Sequence, residues 1–365
     1  MRTIHDLPTP ALVLDLDVLD ANLTAMAAKA ERLQVALRPH VKTHKCIEIA
    51  ERQRALGARG ITTSTLYEAS VFADHGFEDI TWAFPIVPSR IADAKRLAER
   101  INLHVVVDGL EAVDLLERSA FPFSVWLKID CGYHRAGVDP EGSLAVDLAV
   151  RLSESRVLGF CGLLSHSGHA YHGRTREDVA AAATEERDVM TRLAQRLGES
   201  GVSVRSISVG STPSIQAIES LSGVTEIRPG NYALFDFSQV ALGSCTTRDC
   251  AATVITTVVS SQAAGDHCIV DAGALALSKD TGPPEPHGPT MGEIFSDYHL
   301  GLLERDYRLV GVSQEHGRVN HVLPHGTRLR VLPNHACLTV AQFDQLYVTQ
   351  GEQVVDTWRI WRGRD

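Results

Sequence analysis

Residues 35–56, VALRPHVKTHKCIEIAERQRAL, place a strand-like run, Val35–Val41, just before an amphipathic helical pattern, Cys46–Leu56. The same alternation of strand and helix patterns continues to about residue 230. Eight β/α units over this length are typical of a closed (β/α)8 barrel. A doubly wound open sheet is the alternative, but it usually carries a glycine-rich fingerprint after its first strand, and none follows here. The predicted strands are Val35–Val41, Gly60–Thr63, Asp79–Phe84, Leu103–Val107, Phe123–Ile129, Val157–Ser165, Val204–Val209 and Thr225–Arg228.

After residue 245 the pattern changes to short strands separated by turn residues. A long loop rich in Pro and Gly is predicted over Asp280–Gly292, and the opening run Ala11–Asp17 is placed with the later strands. We therefore expect an α/β architecture, with a (β/α)8 TIM barrel over residues 18–244 and an all-β domain formed by residues 1–17 and 245–365. The predicted later strands are Ala251–Ser260, His267–Asp271, Arg308–Ser313, Arg328–Leu332, Leu338–Ala341 and Leu346–Thr349.

The overall composition excludes several classes of protein. The 365 residues are 44% apolar and 22% charged, which is ordinary globular composition, and the formal net charge of −10 disfavours a nucleic-acid partner. The seven cysteines are odd in number and form no CxxC pair, so a reducing, cytoplasmic compartment is expected. The sequence shows no signal peptide and no apolar run of about 18 residues, so no membrane segment is predicted.

Loops at the ends of strands seven and eight have the composition of an anion site. Gly210-Ser211-Thr212 follows strand seven, and Gly230-Asn231 follows strand eight. In (β/α)8 barrels these two loops commonly bind phosphate, through backbone amides and small side chains. Each motif alone could be an ordinary turn, but together they favour a phosphate site. No GxxxxGK[ST] motif occurs, so a nucleoside triphosphate is not predicted.

Lys42 ends the first predicted strand between His40 and His44. Partial burial and neighbouring cations favour the uncharged amine of such a lysine, which is then a nucleophile for a carbonyl carbon. A lone lysine in a basic loop is more often a surface residue. Combined with a phosphate site in the same barrel, however, Lys42 predicts a phosphorylated aldehyde bound as a Schiff base, which is pyridoxal 5'-phosphate.

At this point the sequence resembles a known family. Val41-Lys42, Ser165-His166 and Arg228-Pro229-Gly230 resemble motifs of the alanine-racemase-like, fold-type III pyridoxal-phosphate enzymes. More narrowly, three stretches resemble the metal-dependent D-serine dehydratase and D-threonine aldolase family, and the resemblance covers nearly the whole chain. These stretches are Arg38–Lys45, Gly168–Tyr171 and Pro333–Thr339.

The resemblance implies a role for each matching residue. Lys42 would be the Schiff-base and catalytic lysine, Arg135 would bond the phenolic oxygen of the cofactor, His166 would stack on its ring, and Tyr171 would approach the ring nitrogen. Without the family, Arg135 could simply pair with Asp130, and the role of Arg228 stays open. The residues implied to hold the phosphate are Gly210, Ser211, Thr212, Gly230 and Asn231.

A possible metal site lies near the end of the chain. His335 and Cys337 alternate on the predicted strand end, so both side chains would face one metal ion. Imidazole and thiolate together suit Zn²⁺. The resemblance implies the same metal, because the dehydratases carry His-x-Cys with zinc whereas the D-threonine aldolases carry His-x-Asp with a harder cation such as Mn²⁺. His316 is a further residue that could lie near the metal.

These observations predict a lyase that eliminates water from a 3-hydroxy-D-amino acid, with D-serine going to pyruvate and ammonia as the leading case. Retro-aldol cleavage to glycine and an aldehyde is the nearest alternative. An amino-acid racemase and a non-enzymatic pyridoxal-phosphate carrier are the others. The resemblance also implies a homodimer. The expected partner is a small D-amino acid, with no nucleic acid and no membrane.

Overall fold

The structure, a computed structural model, describes residues 2–261, 265–283 and 288–364. The chain divides into two units, which are treated separately below. The barrel unit comprises Met26–Lys42, Ala50–Gly230 and Gly363–Asp365, and the strand unit comprises Met1–Ala25, Thr43–Ile49 and Asn231–Arg362. The limits of the folding domains predicted above, 18–244 and 1–17 with 245–365, remain a proposal.

After a 3-10 helix, Ile4–Asp6, the chain forms strand β1 (Ala11–Asp15) and helix α1 (Leu16–Arg32). Eight parallel strands then form the sheet of the barrel unit, whose residues 26–42 and 50–230 are all described. A bridge between His40, which follows the first of these strands, and Thr62, in the second, joins the two edges of the sheet. The sheet therefore closes into the predicted (β/α)8 barrel. The strands are β2 (Ala36–Leu37), β3 (Ile61–Thr63), β4 (Asp79–Pro85), β5 (Asn102–Val107), β6 (Ser124–Lys128), β7 (Gly159–Leu164), β8 (Ile207–Val209) and β9 (Glu226–Ile227).

Helices alternate with these strands, as the sequence predicted. Each helix buries apolar residues at helical spacing, such as Val113 and Leu116 three residues apart. Among the described residues, no helix combines the length and the apolar character needed to cross a membrane. The helices are α2 (Ile47–Ala55), α3 (Leu66–Asp74), α4 (Ile91–Ala98), α5 (Leu110–Arg118), α6 (Ser143–Glu154), α7 (Arg176–Glu199) and α8 (Thr212–Ala217).

A buried ion-pair network holds the first barrel strand in place. The Arg38 guanidinium, only 3% exposed, lies with Nε 2.7 Å from Glu226 Oε2 and with Nη1 2.7 Å from Asp79 Oδ1. Because these carboxylates belong to β9 and β4, the network fixes the strand segment that leads to Lys42. A 3-10 helix, Val41–Thr43, follows this strand segment.

Ten strands among the described residues form the sheet of the strand unit. Strand β1 lies inside this sheet, antiparallel to β10 and parallel to β17, so the run at Ala11 belongs with the later strands. The other members are β10 (Ala252–Ser261), β11 (Cys268–Val270), β12 (Glu293–Asp297), β13 (Leu302–Leu303), β14 (Leu309–Val312), β15 (Gly317–Val319), β16 (Arg328–Leu332), β17 (Gln345–Gln350) and β18 (Gln353–Arg359). The helices of this unit are α9 (Phe237–Ala241), α10 (Ala274–Leu277) and α11 (Ala336–Val340).

One predicted strand is wrong. Leu338–Ala341 lies mostly in helix α11, because His335 is extended and the chain then turns so that the Thr339 N–H donates to His335 O at 3.1 Å. Leu, Thr and Val in a stretch this short read as strand residues, and five residues do not reveal a helical period. Strands β12, β13, β15 and β18 were not predicted, because short or polar strands show little alternation of apolar and polar residues. In the predicted loop Asp280–Gly292, residues 284–287 lie outside the described residues, and the remainder contains no helix or strand.

Candidate active site

Lys42 lies at the carboxyl end of the first barrel strand, within the 3-10 helix Val41–Thr43. The backbone before it is tied to two neighbours. The His40 N–H donates to Pro229 O at 2.9 Å, and the Thr62 N–H donates to Pro39 O at 2.8 Å. The half-buried lysine is therefore held beside the loop that carries Gly230, one of the predicted phosphate residues.

Four cationic side chains act on His166, which follows β7. We call Lys42, Lys128, Arg135 and Arg228 the cation cluster. Burial lowers the pKa of His166 well below its ordinary value, and the charges of all four cations lower it further. His166 is therefore a neutral imidazole at pH 7.

The cation cluster also acts on itself. Burial and the charges of Arg228 and Arg135 lower the pKa of Lys128 to about 8. Arg228 is buried and donates to Ser208 Oγ and Ser165 O, so it is anchored to β8 and to the end of β7. A group of cations that destabilise one another around a neutral ring is suited to an anionic aromatic ligand, and the barrel residues fit pyridoxal phosphate on this ground.

Arg135 and Tyr171 are more exposed than His166 and Arg228. Arg135 is exposed, with its guanidinium carbon 5.0 Å from the centre of the Tyr133 ring. The Tyr133 ring in turn stands edge-on to His166, with ring centres 6.2 Å apart. Tyr171, in the 3-10 helix Gly168–His172, is 40% exposed.

The turn after β8 requires glycine at its first position. Gly210 has φ +99°, and a Cβ there would lie 2.7 Å from the Ile215 side chain. Its N–H donates to Glu186 Oε1 at 3.2 Å, and the N–H of Ser211 donates to Ser214 Oγ at 2.8 Å. A phosphate bound at this turn would therefore depend on the hydroxyls of Ser211 and Thr212 rather than on these two amides.

Asn231, the first residue of the strand unit after Gly230, is buried. Its Nδ2 donates to Asp236 Oδ2 at 2.6 Å, while its Oδ1 has no hydrogen-bond partner within the described part of the chain. The side chain is thus oriented by Asp236.

The structure brings His335 and Cys337 together by a helical turn instead of the predicted strand. His335 is the N-cap of α11, Cys337 lies in its first turn, and the two side chains are hydrogen-bonded to each other. Cys337 Sγ lies 3.2 Å from Thr43 Oγ1, and Thr43 directly follows Lys42 in the chain.

The His335 ring has a second polar partner, since its Nδ1 lies 2.5 Å from Asp280 Oδ2. Burial lowers the pKa of His335, but the hydrogen bond and charge of Cys337, the charge of Asp236 and the hydrogen bond to Asp280 outweigh burial and raise it to about 10. Within the described ranges, no group of three or more His, Cys, Asp or Glu side chains is arranged to hold a metal ion. Nevertheless, imidazole nitrogen and thiol sulfur are zinc donors, and a carboxylate on the other ring nitrogen is the usual support of a zinc-bound histidine. The pair therefore fits zinc, with two protein ligands.

Three acidic residues that contact the candidate site residues were not among those predicted from the sequence. Glu186 is 1% exposed and accepts from Ser165 Oγ at 2.7 Å as well as from Gly210. Asp236 contacts Asn231, and Asp280 contacts His335. No local pattern could have revealed them, because a buried carboxylate and a surface carboxylate look alike in a sequence. His316, a further candidate, is exposed in the turn between β14 and β15.

Comparison with known proteins gives matches along both units. Residues 14–236 match the family model for the alanine racemase N-terminal domain, and residues 251–349 match the model for a serine dehydratase domain. The chain is 36% identical to a D-threo-3-hydroxyaspartate dehydratase of Delftia sp., over 99% of both chains. It is 36% identical to a D-serine dehydratase of Dictyostelium discoideum, over 98% of this chain and 97% of the relative. It is also 34% identical to a D-threonine aldolase of Arthrobacter sp., over 96% of this chain and 92% of the relative.

Solved structures of the Delftia enzyme have the same fold, with a TM-score of 0.93 over 100% of both chains at 36% identity. Two variants of a D-threo-3-hydroxyaspartate dehydratase have also been solved. One replaces a cysteine by alanine and is described as metal-free, and the other replaces a histidine two positions earlier.

Proposed function

The chain belongs to the family of 3-hydroxy-D-amino-acid dehydratases and aldolases that share the alanine-racemase-like fold, and is therefore a lyase; we propose that it is a dehydratase dependent on pyridoxal phosphate and zinc. Enzymes with this fold use pyridoxal phosphate. The preferred substrate we propose is D-serine, which would give pyruvate and ammonia. D-Threonine and 3-hydroxy-D-aspartate are the other substrates to test.

The observation that carries the proposal is the His335–Cys337 pair with Asp280 on the far ring nitrogen. The spacing of two residues is the same as that between the histidine and the cysteine replaced in the two dehydratase variants, one of which is described as metal-free. Imidazole and thiolate favour zinc over the harder Mn²⁺, which prefers oxygen ligands.

We propose that Lys42 anchors the cofactor and that the cation cluster balances its negative charges. The hydroxyls of Ser211 and Thr212 would donate hydrogen bonds to its phosphate. Arg135, His166, Tyr171, Gly210, Gly230 and Asn231 complete the proposed cofactor site. When bound, pyridoxal phosphate supplies an electron sink for negative charge at the substrate Cα.

In this proposal Lys42 removes the proton from the substrate Cα as a general base. The neutral His166 adds no positive charge beside that amine, because its pKa is held low by burial and by the cluster. His335 and Cys337 would hold zinc, which would supply a Lewis acid for the departure of the substrate's β-hydroxyl, a poor leaving group at neutral pH.

Retro-aldol cleavage is the second candidate, supported by the relative from Arthrobacter. In that reaction the 3-hydroxyl loses a proton and the Cα–Cβ bond breaks. The two reactions share the proposed cofactor residues and differ in the bond that breaks at Cβ, so product analysis separates them.

The test is an assay of the purified holoenzyme with D-serine, D-threonine and D-threo-3-hydroxyaspartate, with zinc and after stringent chelation. We expect ammonia and a keto acid, lost on chelation and restored by zinc. Glycine with an aldehyde would favour the aldolase, and keto-acid formation that survives chelation would refute the zinc-dependent mechanism.

We also propose that the enzyme is a cytoplasmic homodimer, supported by the family resemblance and by the seven cysteines, all of which are free thiols. Sedimentation equilibrium of the holoenzyme tests the dimer, and a monomer across the working concentration range would contradict it.

A further inference from the structure

A single buried carboxylate in the strand unit joins its own helix, the nearby Asn231 and the distant Ala336. Asp236 is 1% exposed and is the N-cap of helix α9, where its Oδ1 accepts from the Gln239 N–H at 3.0 Å. Its Oδ2 accepts from Asn231 Nδ2 at 2.6 Å and from the Ala336 N–H at 2.8 Å.

The contact with Ala336 lies at the centre of the proposed metal pair. Ala336 stands between His335 and Cys337, so its amide belongs to the backbone that sets the directions of both side chains. Helix α11 has only five residues and cannot hold this turn by its own length. The adjoining backbone is paired with the segment after Asp236, since the Phe237 and Ser238 N–H groups donate to Pro333 O and Asn334 O at 3.0 and 3.2 Å.

The chemistry of these contacts requires a carboxylate. All three partners are N–H donors, and an ionised carboxylate offers acceptors on both oxygens. An asparagine would turn one NH2 group toward a donor. A serine would keep the capping of α9, because serine is a good N-cap, but would lack the second oxygen that joins Asn231 to Ala336.

We infer that Asp236 is a positioning residue that fixes the His335–Cys337 pair for zinc and at the same time orients Asn231, one of the residues proposed to bind the cofactor phosphate. The inference rests on the proposed function, since it assigns the metal to His335 and Cys337 and the phosphate to the Asn231 turn. Asp236 touches neither group itself.

The test compares Asp236→Ser with two other variants in the full-length protein. Asn231→Ala removes only the contact on the cofactor side. Asp249→Ser is a matched control in the same unit. The Asp249 carboxylate accepts from the Thr246 N–H at 2.7 Å at the start of a 3-10 helix, Thr247–Asp249. Zinc affinity is measured on cofactor-free protein by competition with a chromophoric chelator, and cofactor affinity by titration with pyridoxal phosphate.

We expect Asp236→Ser to bind zinc about 10–100-fold more weakly, as when an outer-shell partner of a metal ligand is removed. Asn231→Ala and Asp249→Ser should bind zinc like the wild type. Pyridoxal phosphate should bind more weakly to both Asp236→Ser and Asn231→Ala. A folded Asp236→Ser protein with wild-type zinc affinity would overturn the inference while leaving the proposed function intact.

Two further measurements complete the test. If the wild type binds no zinc, or if His335→Ala binds zinc as the wild type does, both the proposed function and this inference are refuted. If Asp236→Ser does not fold, hydrogen exchange of the wild-type protein decides, because the Ala336 amide should be among the slowly exchanging ones. Fast exchange at Ala336 would show that Asp236 does not hold the turn.

Discussion

His335 Nδ1 lies 2.5 Å from Asp280 Oδ2. A hydrogen bond from Nδ1–H to the carboxylate orients the ring, so that Nε2 can bind a metal ion once it has given up its proton. Asp280 belongs to the loop that precedes β12, and the side chain of Asn334 donates to the Asp280 carbonyl at 2.9 Å. The loop and the turn before α11 are therefore held to each other at Asn334 and at His335.

Removing this carboxylate should weaken metal binding. We expect Asp280→Ala to bind zinc about 10–100-fold more weakly, because the ring loses the partner that orients it and raises its basicity. Chelator competition on cofactor-free protein measures this directly.

Asp266→Ala is the matched control, since Asp266 Oδ1 lies 2.9 Å from His267 Nδ1 in the same unit, and this pair is not part of the proposed metal site. Equal zinc affinities for the two variants would mean that the contact to His335 has no bearing on metal binding.

Lys42 is expected to be essential both to cofactor retention and to turnover. Lys42→Ala should fail to retain pyridoxal phosphate through gel filtration, and its rate should fall by at least about 100-fold, the smaller end of what a general base contributes. Absorbance of the bound cofactor and keto-acid formation are the two measurements. Lys95→Ala, on helix α4, serves as the control and should keep both properties. A Lys42→Ala enzyme with full activity would refute the assignment.

The barrel could be predicted from the sequence because its signals are local. Each parallel strand is a short apolar run, and each following helix carries its own amphipathic period, so residues such as Val105 and Val113 reveal their element without reference to distant parts of the chain. The second sheet is harder to predict, because its order depends on partners far apart. Strand β1 pairs with β10 and β17, and no feature near Ala11 encodes those neighbours.

The same distinction separates the parts of the site. Lys42, His335 and Cys337 belong to recognisable local motifs and could therefore be predicted from the sequence. Asp280 meets His335 across 55 residues, and Asp236 meets Ala336 across 100. Contacts over such separations arise only in the folded chain, so the carboxylates that support the site had no local signature.

In the barrel unit, Glu186 is a buried carboxylate whose removal should likewise weaken ligand binding. Its Oε1 accepts from both Ser165 Oγ and Gly210 N–H, next to His166 and to Ser211. We expect Glu186→Gln to lower the free energy of unfolding by about 1–3 kcal/mol, since a buried donor loses its charged acceptor. Pyridoxal phosphate should also bind more weakly, because the turn after β8 loses its support.

Glu185→Gln is a close control, because it removes a charge from the adjacent, exposed position of the same helix. Denaturant unfolding and cofactor titration of both variants would settle the point. Identical cofactor affinities would place Glu186 outside the support of the phosphate turn.

Lys128 predicts a pH dependence of stability in the cofactor-free protein. Burial and the charges of Arg228 and Arg135 lower its pKa from 10.5 to about 8. Below pH 8 the lysine is protonated in both states, so the folded protein bears the full cost of the buried charge. Between pH 8 and 10.5 the unfolded chain binds more protons than the folded one, and this lysine's contribution to stability therefore rises with pH.

Lys128→Met removes the charge and keeps an apolar side chain of similar length. At pH 7 the variant should be more stable than the wild type by up to about 3 kcal/mol, at about 1.4 kcal/mol for each pKa unit, and the difference should shrink toward pH 10. Denaturant unfolding of both cofactor-free proteins at several pH values measures it. Groups such as Tyr298, whose pKa is raised by burial, titrate alike in both proteins and cancel in the difference. A difference that stays constant from pH 7 to 10 would show that Lys128 is not destabilised by the cations around it.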